Sequence, residues 1–103
     1  MVSPIIEDLI NEADEFDIRL VVEDNRRGSI NINRRTLKIN PVYLDEADVT
    51  FVHEMLHYNN REVANYQMGR GEESIVELEA QSLLGNSENR QAVNDYLREL
   101  NII

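Results

Sequence analysis

Apolar residues at Ile5, Ile6, Leu9, Ile10, Ala13 and Phe16 recur at the spacing of one helix face, and Ser3-Pro4 supplies an N-cap and a first-turn proline. A first helix is therefore predicted over about 4–15. The pattern then shifts to the period of a strand. Ile18–Glu23 is short and β-branched, and Asn25–Gly28 supplies turn residues. Ser29–Asn33 and Thr36–Asn40 both alternate apolar with polar positions, and Pro41 ends the second run. These three strands predict an antiparallel meander with the strand at 36–40 at an edge.

From Asp45 the helical period returns. Asp45 is a candidate N-cap, and Glu46 and Asp48 suit the positive end of the helix dipole. Val49, Phe51, Val52, Met55, Leu56 and Ala64 supply apolar positions, while Asn59 and Asn60 mark an end or a loosening. Met68–Gly71 is expected to be a loop. A helix opening at Glu72 and Glu73 runs through Leu84 and stops at Gly85-Asn86, and Ser87 is expected to cap a last helix through Leu100. The order α-β-β-β-α-α-α predicts one α+β domain over residues 1–103.

Composition narrows the chemistry. With no cysteine, disulfides, thiolate metal sites and cysteine nucleophiles are excluded, so any metal must be held by His, Asp or Glu. The net charge of −10 disfavours binding to phosphate backbones, and no nucleic-acid partner is expected. Bases concentrate at Arg26, Arg27, Arg34, Arg35 and Lys38, either as the solvated face of a hairpin or as a basic rim for an acidic substrate. No basic leader and no run of about 20 apolar residues is present, which predicts a cytoplasmic protein without membrane contact.

The only two histidines, His53 and His57, fall four residues apart with Glu54 after the first. In a helix, four residues advance about 400°, so both imidazoles stand on one face, one turn apart. Two such imidazoles can bind one Zn²⁺, and Glu54, about 100° round from His53, can reach an attacking water without being a ligand. An incidental pair of surface histidines is the plainer alternative.

The segment Val49–Tyr58, with its H-E-x-x-H, resembles the active-site helix of zincin metallopeptidases. The metzincin extension is absent, since Asn60 and Val63 stand where that pattern continues and no third histidine exists. The resemblance is to gluzincins, which implies a glutamate ligand from a later helix. Two acids compete, Glu77 and Glu79. Glu77, twenty residues after His57 and three before Ala80, is similar to the ligand position of ImmA/IrrE-type and ArdC-like zincins, and it is preferred. The element order resembles minigluzincins in outline. A departure is Asn59, where zincins usually carry an apolar residue.

The resemblance implies a zinc peptidase acting on peptides or proteins, with one Zn²⁺ on His53, His57 and Glu77, Glu54 as general base, and a monomer or small homo-oligomer. Tyr58, Tyr66 and Tyr96 are candidate oxyanion donors. The apolar tail Leu100–Ile103 either packs on the first helix or covers the site, which would leave the enzyme latent. A non-catalytic zinc-binding regulatory module is the alternative function.

Overall fold

The computed structural model describes residues 1–64 and 72–103. Helix α1 spans Pro4–Ala13, followed by strands β1 (Asp17–Leu20), β2 (Gly28–Asn31) and β3 (Thr36–Ile39). A 3-10 turn at Pro41–Glu46 leads into helices α2 (Ala47–Ala64), α3 (Glu72–Leu84) and α4 (Ser87–Glu99). The class is α+β, as the order of elements predicts.

The sheet differs from the expected meander. Its order is β1-β3-β2, with β1 parallel to β3 and β2 antiparallel to it. β3 is therefore central and β2 is an edge. Asn40 explains why the chain crosses over β3 between β1 and β2. Buried to 1% exposure, its Nδ2 donates to the carbonyls of Glu23 and Arg26, while its backbone N–H donates to the carbonyl of Arg27. One side chain at the end of β3 thus holds the 21–27 connection across the sheet. Alternation alone could not reveal this, because a half-buried strand carries the same pattern in either direction.

Asn40 Oδ1 also accepts from the Val42 N–H, so the turn behind Pro41 starts before Asp45 and α2 begins at Ala47. α2 runs on through Asn59, which is buried because its amide donates to Glu12 on α1 at 2.7 Å. The departure from the zincin pattern at this position is thus a tie between two helices. Asn86, one residue before the expected Ser87, caps α4 by accepting from the N–H groups of Glu88 and Asn89.

Helices cover one face of the sheet. Leu37 and Ile39 of β3 point into a core with Ile6, Leu9, Phe51, Val52, Met55, Leu56, Val76, Val93 and Leu97. Ala80, fully buried on α3, lets that helix approach α2 closely. Asn89 pins the N-terminus, accepting from the Ser3 N–H and donating to Ser3 Oγ and the Leu83 carbonyl. The tail packs inward. Asn101 takes a left-handed φ of 62°, the Ile102 N–H returns to the carbonyl of Leu97, and Ile102 is buried in the core, away from the cleft described next. No helix among the described residues is long and apolar enough to cross a membrane.

Candidate metal centre

A cleft of about 1040 Å³ lies between β2, α2 and the start of α3. α2 places His53 and His57 on its floor, 7% and 4% exposed, because both lie on one helix face whose flanks are the buried Val52, Met55 and Leu56. Their Nε2 atoms converge to 3.2 Å. Glu73 on the first turns of α3 meets both: one carboxylate oxygen is 3.0 Å from His53 Nε2 and the other 2.9 Å from His57 Nε2. His53, His57 and Glu73 are close enough to hold one metal ion between them.

The donor chemistry fits a divalent cation. A tetrahedral ion with bonds of about 2.1 Å keeps its donors roughly 3.4 Å apart. The three separations here, 3.2, 3.0 and 2.9 Å, are shorter than that, and the two to Glu73 run to its two different oxygens, so a bound ion would spread the three side chains by a few tenths of an ångström. Two imidazoles and a carboxylate form the His₂Glu set that leaves a position open for a reactant.

Glu77, the acid expected as third ligand, lines the cleft and meets His53 from its other side. Its Oε2 is 2.6 Å from Nδ1 of His53, the nitrogen opposite the one facing Glu73 and His57. An Nδ1–H donating to this carboxylate leaves the Nε2 lone pair free for a cation. Glu77 is itself held by Arg27, whose Nη2 donates to the same oxygen at 2.7 Å, and by Gln81 Nε2 at 3.3 Å on the other oxygen. Arg27 extends toward Glu46 at 3.8 Å. Burial pushes the Glu77 carboxyl upward. The hydrogen bonds from Arg27 and His53, with their charges, outweigh that and hold it below the usual carboxylate range.

Glu73 is the carboxylate that the sequence did not single out. The signal was its spacing. Glu73 and Glu77 are one turn apart, like His53 and His57, so both acids share the face of α3 that meets the histidine face of α2. Glu79, two residues on, turns away from that face and does not line the cleft.

Glu54 lines the cleft beside the histidines. Burial raises its pKa, partly offset by the charges of His53 and His57; Glu73 raises it further and Arg27 opposes. Two of the candidate tyrosines are elsewhere. Tyr58 is buried against Phe16 and accepts from Arg35, and Tyr96 donates to Asp14. Tyr66 lies outside the described residues.

The fold and cleft define an α+β domain with a helix-borne histidine pair and a carboxylate from the following helix. No protein-family model matches the chain, and no curated protein or solved structure matches it significantly.

Proposed function

We propose that the protein is a zinc-dependent peptidase of the gluzincin type. The convergence of His53 Nε2, His57 Nε2 and the Glu73 carboxylate beside Glu54 carries the reading. Glu77 is the third ligand that the gluzincin resemblance implies; the separations favour Glu73 in that role, with Glu77 orienting His53.

When bound, zinc supplies a Lewis acid that polarises the scissile carbonyl and makes water acidic near neutrality. Glu54 takes the proton of the attacking water and delivers it to the leaving amine. The His53–Glu77–Arg27 chain holds one ligand ring in a fixed orientation and a single tautomer. β2, the edge strand along the cleft, offers unpaired backbone groups to an extended peptide. That role belongs to β2 rather than to the strand at 36–40, which is central.

The test is untagged protein loaded with one equivalent of zinc and incubated with casein or a mixed peptide pool. Cleavage that is lost in Glu54→Gln, while that variant still holds zinc, supports the reading. Intact peptides after incubation with stoichiometrically loaded protein would remove it and leave a non-catalytic metal-binding module.

A further inference from the structure

The cleft is polarised along β2. Its lining includes Ile30 and Ile32, further along the chain, and Leu78 of α3, which is 69% exposed. The near part, where the chain enters β2, is lined by Arg26 and Arg27. These two cations differ. Arg27 is committed to Glu77 and Glu46. Arg26 is exposed and forms no ion pair among the described residues, although acids outnumber bases two to one in the chain.

The position of Arg26 is not loose. Its carbonyl accepts from the buried Asn40 amide at 2.8 Å, so the backbone is pinned beside the cleft while the guanidinium is left to solvent. The next residues fix the approach of this end to the active-site helix. A Cβ on Gly28 would fall 2.6 Å from Thr50 Cγ2 and 2.5 Å from the Lys38 carbonyl oxygen, so only glycine lets β2 lie this close to α2. Arg26 is therefore held two residues from the contact between β2 and the helix that carries His53 and Glu54.

A guanidinium at the mouth of a cleft, with no ion pair among the described residues, has only water to give up when it binds a carboxylate, and its planar fork matches that group. We propose that Arg26 forms a subsite for an acidic side chain of an extended peptide substrate, and that Ile30, Ile32 and Leu78 take an aliphatic residue further along the same peptide. This assigns a substrate class and rests on the peptidase reading above.

The experiment uses the full chain loaded with zinc. Peptides cleaved from a mixed pool are resynthesised in pairs with Glu or Gln at each position flanking the scissile bond. At one position the wild type should prefer Glu by about fivefold in kcat/KM, the scale of one partly exposed ion pair, and the preference should shrink in high salt. In Arg26→Gln the ratio should fall to about one, and in Arg26→Glu it should invert to favour Gln. Arg34→Gln, off the cleft, should leave the ratio unchanged. Equal turnover of each pair by the wild type, or a preference that survives Arg26→Gln, would overturn the subsite. Absence of all cleavage is the failure of the peptidase reading alone. Pairs with Glu or Gln at each position of an Ile- and Leu-bearing peptide are then titrated against zinc-loaded Glu54→Gln by fluorescence anisotropy. Tighter binding of a Glu peptide, lost in the double variant with Arg26→Gln, retains the subsite; equal binding of every pair overturns it.

Discussion

Glu77 Oε2 and His53 Nδ1 meet at 2.6 Å, on the side of the imidazole turned away from His57 and Glu73. A carboxylate in this position makes the ring a better ligand without touching the cation. Glu77→Gln should keep a stoichiometry of one zinc per chain but weaken its affinity by about 10- to 100-fold, the usual cost of losing such a partner. Competition with a chelating dye measures this. Complete loss of zinc from Glu77→Gln, with retention by Glu73→Ala, would exchange the roles of the two acids.

Glu73→Ala should be more severe than Glu77→Gln. It removes the oxygens that approach both Nε2 atoms at 2.9 and 3.0 Å and leaves a two-histidine site. Stoichiometric zinc binding at micromolar protein should be lost. Glu79→Ala, outside the cleft, should bind zinc as the wild type does. Isothermal titration of the three variants side by side separates the ligand from its neighbours.

Metal removal should destabilise the fold. The candidate ligands come from α2 and α3, so a cation joins two helices that otherwise meet through packing at residues such as Val76 and Ala80. Free zinc at 100 times its dissociation constant stabilises the folded form by about 2.7 kcal/mol. For a domain of this size that corresponds to a rise in melting temperature on the order of 10 °C. Calorimetry with EDTA and with added zinc reads the difference; coincident melting curves would count against a cation bound by the folded state.

Much of this arrangement was legible from residue order. His53, Glu54 and His57 declared a helix face, and Ala80 anticipated the close packing of α3 on α2. The sheet was less legible, because its topology depends on Asn40 reaching two carbonyls across the crossover connection, a contact that no local pattern encodes. The third carboxylate was partly legible. Glu73 and Glu77 share one face, and which of them meets Nε2 depends on how far α3 is shifted along α2. That shift is set by tertiary packing, beyond the reach of periodicity.

Thr50 carries the one buried side-chain oxygen found without a hydrogen-bond partner among the described residues. It is 2% exposed on α2, one turn before Glu54, with its methyl against Gly28. An unpaired buried hydroxyl is costly, and an apolar group of the same shape removes the cost. Thr50→Val should therefore stabilise the protein by about 1 kcal/mol. Urea unfolding of metal-free protein gives the answer, and a lower midpoint for Thr50→Val would mean that the hydroxyl has a partner in solution.

Glu54 links stability to pH in the metal-free protein. Burial raises its carboxyl pKa above the ordinary value of 4.5, so the folded state holds this proton to higher pH than the unfolded chain does. As pH climbs from the ordinary carboxylate range through the raised value, the unfolded chain ionises first. Folding stability is lost over that interval, and the loss is complete above it. Gln at this position cannot ionise and escapes the penalty. In EDTA, Glu54→Gln should therefore match the wild type near pH 4 and exceed it at pH 8, read as separate urea midpoints at the two pH values. A wild type that gains on the variant as pH rises would mean that the charges of His53 and His57 outweigh burial and stabilise the Glu54 carboxylate in the fold.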